Sequence, residues 1–426
     1  MEPLTPRIGS ATRRDFLRLA AGLGLSFQLP ALEPRAAQSR GSERPRSLII
    51  LYMSGGQSQL ESWDPHPGAK IGGENSTALP TKMDGVQVSH LLPQMAEQVH
   101  EMCLIRSLVS KEGDHERGTY LLKTGYRPDP TLQHPSLGAI LAHELPVAGV
   151  EIPRHVSLLS TQWPARGGFL GDDYDAFKIY DPKQTLLNIE SRVDKPRQER
   201  RLASLDVVEK SFRKGRRLRS DATLHRETIQ RALTMMTSDQ LRAFHVEDEP
   251  AAVRAAYGDT PFGVGCLVAR RLVEVGVRAI EVNLEGFDTH AKNYEGQKKN
   301  NEVLDPAFAA LIHDLQHRDL WQSTIVLCIG EFGRTPNINP VGGRDHWPTG
   351  FSCVVGGGGF RRGLVIGQTD PTGAKPQPED PIEVHDLYAT ILHDLGVDYA
   401  RELITPIGRP MALCQGRPIE RLLTTT

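Results

Sequence analysis

The chain has 426 residues, 39% of them hydrophobic, which is enough apolar material for a sizeable core and excludes a disordered protein. Its 50 basic and 52 acidic residues leave a formal charge of -2, which argues against a general polyanion-binding surface, so no nucleic acid is expected as a partner. Five cysteines (Cys103, Cys266, Cys328, Cys353, Cys414) are scattered without a CxxC pair, so neither a disulfide framework nor a zinc–thiolate site is expected.

Residues 1–38 contain "TRRDFLRLAAGLGLSFQLPALEPRAAQ", in which Arg13 and Arg14 precede Phe16, Leu17 and a moderately apolar stretch ending near Ala36 and Ala37. This is the pattern of a twin-arginine export signal, so the twin-arginine translocase is expected as a partner during export, with a periplasmic or cell-surface destination. The plainer alternative is an amphipathic helix with a chance Arg pair. A polar linker over 39–46 leads to "SLIILYM" (Ser47 to Met53), a short, β-rich apolar run that ends at Gly55-Gly56 and predicts a buried first strand. Over about 184–257 the pattern turns long, charged and helical. Its basic stretch from Arg192 to Arg219 reads as the solvated face of a helical insertion, since no aromatics are interleaved for base stacking.

Further apolar runs follow at "RAIEVNL" (Arg278 to Leu284), "TIVLCIG" (Thr324 to Gly330) and "FSCVVGGGG" (Phe351 to Gly359). Helical patterns lie between them, at Phe262 to Gly276 and Val303 to Leu320. Strand and helix in alternation predict an α/β fold, a largely parallel sheet covered by helices on both faces. Residues 47–426 are expected to form this one domain, with the helical insertion inside it.

In open α/β sheets ligands bind beyond the carboxyl ends of the strands. Four such places carry acids or histidines: Ser58, Glu61 and Asp64 after the first strand, Asp288 and His290 in "GFDTH", Glu331 in "GEFGR", and Asp345 and His346 in "GGRDHW". Asp288 and His290 lie two apart, which in extended backbone points both side chains to one side, as two ligands of one metal require. Carboxylate oxygen plus imidazole nitrogen suits Zn, Mn or Fe, and an oxygen-rich neighbour suits Ca or Mg. Each residue has a plainer role: Asp288 as a turn cap, His290 at a helix start, Glu331 as a partner of Arg334. His313, His317, His385 and His393 are expected to be structural or solvated.

These motifs, with "HERGTYLLKTGYRP" and "DLYATILHDLGVD", resemble the exported domain-of-unknown-function 1501 family of the alkaline phosphatase/sulfatase superfamily. The resemblance implies an α/β/α sandwich with a mostly parallel central sheet that binds one or two divalent ions (Zn, Mn or Ca) and cleaves phosphate or sulfate esters. It assigns Asp288, His290 and His346 to one metal, Asp64 or Glu61 with Glu331 to a second, and Asp345 as a further candidate. Where the superfamily has an Asp-His pair this sequence has Glu331-Phe332, so one histidine ligand is missing and a mononuclear site becomes the alternative. The superfamily nucleophile's place falls on His115, which can serve as nucleophile, general acid or third nitrogen ligand. Ser58, in a Gly-Gly turn, is the second nucleophile candidate. Arg334 and Arg344 are candidate clamps on an anionic ester, or braces for their own loop. The expected function is thus an exported metal-dependent hydrolase acting on an anionic ester or glycan; the alternative is a non-catalytic member of the fold that binds a sulfated or phosphorylated glycan.

Overall fold

The structure is a computed structural model that describes residues 47–145, 147–184, 186, 189–213 and 225–424. The export signal and linker expected over 1–46 lie outside the described residues. Nine strands form the main sheet: β1 (Ser47–Met53), β2 (Met102–Val109), β3 (His155–Leu158), β4 (Phe177–Ile179), β5 (Ala279–Leu284), β6 (Thr324–Ile329), β7 (Phe351–Gly357), β8 (Leu364–Ile366) and β9 (Ile382–Glu383). Their order is β8-β2-β7-β6-β1-β5-β3-β4, with β9 also paired to β2. β1 runs parallel to both neighbours, and only β7 runs against the rest. That reversal has a functional consequence, because the segment entering β7 lies at the edge where the other strands end.

The helices are α1 (Pro93–Gln98), α2 (His115–Thr124), α3 (Leu137–Glu144), α4 (Lys195–Arg213), α5 (His225–Met236), α6 (Ala251–Tyr257), α7 (Pro261–Glu274), α8 (Asn293–His317) and α9 (Val384–Asp394). Alternation along β1 divides the core in two. Ile49, Leu51 and Met53 join Val282, Val326 and Cys328 against Phe262 and Leu267 of α7 and Phe308 and Leu311 of α8. Leu48 and Tyr52 join Leu327 and Ile329 against Leu121 and Leu122 of α2, Ile140 of α3 and Leu387 of α9. The chain is therefore an α/β/α sandwich, and each fully buried Leu, Ile or Phe stabilises it by roughly 1.5–3 kcal/mol. Among the described residues no helix is long and apolar enough to cross a membrane.

Two boundaries depart from the sequence pattern. The helix expected from Val303 starts ten residues earlier, at Asn293, and runs through Pro306. Its first turns bury Asn293, Gln297, Asn300 and Asn301, so their inward face carries amides, which an apolar periodicity does not reveal. Within the segment expected as a helical insertion, the described residues form α4, α5, α6 and two short 3₁₀ turns, and α4 is largely exposed.

One buried ion pair fixes α2 on the sheet. Lys123 Nζ lies 2.8 Å from Glu281 Oε1 of β5, with both side chains almost fully buried. The same oxygen accepts from Ser157 Oγ at 3.1 Å and Asn283 Nδ2 at 3.1 Å. Burial pushes the Glu281 carboxyl up, but Lys123 and these donors outweigh it and hold it below its ordinary value. The pair's contribution is therefore full above the ordinary Glu value of 4.5 and is lost as pH falls through the depressed folded-state value. Lys123→Met leaves a buried carboxylate without its countercharge and is expected to lower the unfolding free energy by about 3–5 kcal/mol at pH 7. Adding Glu281→Leu is expected to restore most of that loss in urea titrations; an unchanged single variant would remove the pair from the account of how α2 is held.

Candidate metal centre

The turn after β1 decides how closely the strand-end loops approach. Gly55 has φ of 107°, and a Cβ there would lie 2.5 Å from the backbone nitrogen of Asp288. Only glycine fits both the backbone angle and the contact. Its N–H donates to Glu331 Oε1 at 2.7 Å, so the turns after β1, β5 and β6 meet at one point. A two-residue antiparallel ladder pairs Gly333–Arg334 with His346–Trp347, which brings the approach to β7 to the same edge. His115 arrives from the other side, as the first residue of α2. Its helix is capped by the Asp114 carboxylate, which accepts from the Arg117 N–H at 3.2 Å.

Three imidazoles converge on Asp288. His290 Nε2 is 3.1 Å and His346 Nε2 is 3.3 Å from Asp288 Oδ1, and His115 Nε2 is 3.2 Å from Asp288 Oδ2. Donor atoms of His115, Asp288 and His346 all lie within 4.8 Å of one another. Each ring also meets an acceptor through Nδ1: His290 at Asp345 Oδ1 (2.8 Å), His346 at the Gly113 carbonyl (2.7 Å) and His115 at Glu331 Oε1 (2.9 Å). Carboxylates and carbonyls only accept, so Nδ1 carries the proton in each ring and a neutral ring presents a bare lone pair at Nε2.

The Nε2 atoms of His290 and His346 are nevertheless 2.9 Å apart. Two bare lone pairs at that distance repel unless a metal ion, or a further proton on one ring, sits where they converge. A second proton on His346 is disfavoured, because burial holds it below its ordinary value. His115 Nε2 is buried and has no hydrogen-bond partner. The residues thus fit a metal ion, with His115, His290 and His346 as nitrogen donors, Asp288 as oxygen donor, and an acceptor behind every imidazole.

Electrostatics around the cluster come from buried charges. Arg334 has no solvent exposure and donates to Asp288 Oδ1 (2.6 Å) and to the carbonyls of Gly55, Gly56 (3.1 Å) and Arg344 (3.0 Å). Burial pushes the Asp288 carboxyl up, but the Arg334 guanidinium outweighs it and holds the group down at about 2. The Glu331 carboxylate raises His115 above its ordinary value. Phe332 lies beneath two of the rings, 4.3 Å from the His346 centroid and 5.1 Å from that of His115. It gives the two rings an apolar floor.

The sequence candidates separate into two groups. His115, Asp288, His290 and His346 come together, with Glu331 and Asp345 one bond behind. His115 Nε2 lies 3.2 Å from Asp288 Oδ2, among the atoms that could hold an ion. The others are corrected. Ser58 is buried, its hydroxyl donating to Glu61 and its N–H to Gln297 Oε1 at 3.1 Å, so it is not placed as a nucleophile. Asp64 accepts from the Thr369 N–H at 2.6 Å and lies 3.4 Å from Arg106, away from the cluster. Glu61 pairs with Arg344 through two bonds of 3.0 and 2.9 Å, and Arg344 also holds the carbonyls of Ile71, Thr335 and Pro336. Fully buried Arg344 and Arg334 brace loops and present no free fork to an ester. Of the acids meant for a second metal, Glu61 and Asp64 are thus paired with guanidinium groups, whereas Glu331 keeps a buried Oε2 without a hydrogen-bond partner. His313, His317 and His393 are exposed.

Sequence reasoning missed Gly113, whose acceptor is a backbone carbonyl and has no residue signature. It also missed Asn339, which donates to the His290 carbonyl at 2.9 Å and accepts from the Gly343 N–H at 2.8 Å. Asn between turn residues was its available signal.

A family model described as "Protein of unknown function (DUF1501)" matches residues 45–423. The chain belongs to this DUF1501 family. No curated protein matches it. Among solved structures it is similar to the lipoteichoic acid synthase LtaP from Listeria monocytogenes (9% identity, TM-score 0.40, covering 83% of this chain and 72% of that one). It is also similar to Ps i-CgsB in complex with k-i-k-neocarrahexaose (9% identity, TM-score 0.40, 84% and 73% covered). A third is a TAB5 alkaline phosphatase mutant with Mg bound (14% identity, TM-score 0.40, 84% and 99% covered).

Gly55→Ala tests the central contact. It adds a backbone clash to a strained φ and is expected to cost about 1–3 kcal/mol beyond a control at an uncrowded glycine of similar φ. Gly85, with φ of 72° and nothing within 4 Å of a built Cβ, is that control. Equal losses for the two alanine variants in urea titrations would show that the approach to Asp288 is not tight.

Proposed function

We propose that the protein is an exported hydrolase of phosphate or sulfate esters that works with one divalent transition-metal ion. The observation that carries the reading is the convergence of the His115, His290 and His346 Nε2 atoms on the Asp288 carboxylate, at 3.2, 3.1 and 3.3 Å. Three nitrogens and one carboxylate suit Zn, Mn or Fe, whereas Ca asks for six to eight oxygens. One ion is favoured over two because Glu61 and Asp64 are committed to Arg344 and Arg106 and Phe332, beneath two of the rings, offers no ligand.

Bound there, the ion supplies Lewis-acid polarisation of an ester oxygen. The chain's own residues do the rest. Arg334 keeps Asp288 ionised, while Glu331, Asp345 and the Gly113 carbonyl hold the three rings in the tautomer that leaves Nε2 available. With Ser58 turned to Glu61, the described side chains of the cluster offer no hydroxyl or thiol for a covalent step. The reaction is then direct: water adds to phosphorus or sulfur as the bond to the leaving oxygen breaks, and the alcohol leaves with one of the water's protons. The same missing nucleophile favours the second reading, a non-catalytic protein that uses the centre to bind a sulfated or phosphorylated glycan.

Metal analysis of the natively exported protein is expected to give about one transition-metal ion per chain, lost in His346→Ala. Glu331→Gln and Asp345→Asn, which loosen a ring without removing a donor, are expected to weaken metal affinity about 10–100-fold in competition with a chelator. At least one member of a panel of aryl phosphates, phosphodiesters and sulfates is expected to turn over and to stop on chelation. Bound metal with no turnover selects the binding reading, and a chain that binds no transition metal overturns both.

A further inference from the structure

A groove of about 550 Å³ is lined by Ser110 and Lys111, at the start of the segment Ser110–Asp114 that leads to His115. That segment is held from the cluster side, where its Gly113 carbonyl accepts from His346 and its Ser110 N–H donates to the Pro348 carbonyl at 2.7 Å. Lys111 lines the groove and is four residues from His115, so their Cα atoms are at most about 14 Å apart. A ligand held in the groove and one reacting at the cluster are therefore within reach of the same short chain.

The groove's charges are only partly satisfied internally. Lys111 is exposed, and among the described residues no acidic partner lies within salt-bridge distance of it. Arg409 stands at the long distance of 4.0 Å from Asp129 Oδ2, while the Thr131 N–H (2.8 Å) and hydroxyl (2.6 Å) donate to Oδ1. Arg127 bonds Glu112 Oε1 at 2.6 Å, but that carboxylate is shared with Arg117, which leaves one positive charge in excess. Asp129 and Glu383 also line the groove, so it is not uniformly cationic. A bare polyanion would be repelled by both carboxylates. A ligand carrying hydroxyls as well as anionic groups suits all five, since hydroxyls donate to carboxylates while sulfate, phosphate or carboxylate groups meet Lys and Arg. Tyr126 adds an apolar wall. The volume lies within the range of small-molecule sites, about 300–1,000 Å³.

We infer that this groove is a subsite for an acidic oligosaccharide, so the substrate is a polymer-like chain bearing several anionic groups rather than a small monoester. The inference deepens the proposed function and rests on that reading only for where the reacting group goes. Lys111 and Arg409 hold anionic groups of units next to the one at the cluster.

The test is calorimetric, with a heparin-derived hexasaccharide as the acidic probe, maltohexaose as the neutral one and polyphosphate of matched charge as the bare polyanion. The metal-loaded protein is expected to bind the hexasaccharide, more weakly as salt rises, and at least tenfold more tightly than either control. Lys111→Ala/Arg409→Ala is expected to lose at least tenfold of that affinity, and its unchanged thermal midpoint would show that both exposed side chains are dispensable for folding. His290→Ala is expected to keep hexasaccharide binding within about threefold. Equal affinity in the double variant, equal binding of maltohexaose or polyphosphate, or no binding of the hexasaccharide each overturns the subsite. Hexasaccharide binding that depends on Lys111 and Arg409, in a protein inactive on every ester, upholds the subsite while removing the hydrolase reading.

Discussion

A guanidinium with no exposure stands where three strand-end loops meet. Arg334 holds the two carbonyls of the β1 turn, the Arg344 carbonyl on the way into β7 and the Asp288 carboxylate after β5. A charge this deep is tolerable only if its donors are satisfied and a counterion is close. Asp288 is that counterion, so the position of the proposed metal-binding carboxylate is set by the same bonds that join the loops. Gly55 completes the arrangement from the backbone side, since any side chain there would collide with the Asp288 peptide.

Arg344 repeats the device one layer back. It pairs with Glu61 and gathers the carbonyls of Ile71, Thr335 and Pro336, so two acids and two arginines that look alike in sequence have different tasks. Only Asp288 is left with an oxygen near the histidines. Glu331 occupies a third position: fully buried, it faces both the Gly55 N–H and His115, and it transmits the geometry of the β1 turn to α2.

Four of the nine main-sheet strands, β1, β5, β6 and β7, are legible as short apolar runs ending at or near glycines, and the sheet is legible because such runs alternate with helical patterns; β2, β3, β4, β8 and β9 are not singled out by the sequence. Ser47–Met53 was read to the residue, while α8 was shortened by ten because its amide-lined first turns carry no apolar period. At the site, the two-residue spacing of Asp288 and His290 brings His290 Nε2 within 3.1 Å of Asp288 Oδ1. Composition alone did not separate acids that approach the histidines from acids bound to buried arginines, since that depends on which loops the sheet order places side by side. The single antiparallel strand matters for the same reason: reversing β7 is what delivers His346 to the edge where β1, β5 and β6 end.

The charge of the cluster has a consequence for what it can receive. Counting Asp288, Glu331 and Asp345 as carboxylates, Arg334 as a guanidinium and the three imidazoles as neutral, the set carries two negative charges and would repel an anionic ester. A divalent ion at the convergence of the Nε2 atoms would cancel them, in a half-buried place where charges are screened less than in water. On the proposed reading the ion therefore acts before any chemistry, by turning a site closed to anions into one that admits them. The groove lined by Ser110 and Lys111 needs no such switch, because Lys111, Arg127 and Arg409 outnumber its two carboxylates whether or not metal is bound. Recognition of an acidic chain and admission of its reacting group are then separable events, the first fixed by the fold and the second conditional on the metal.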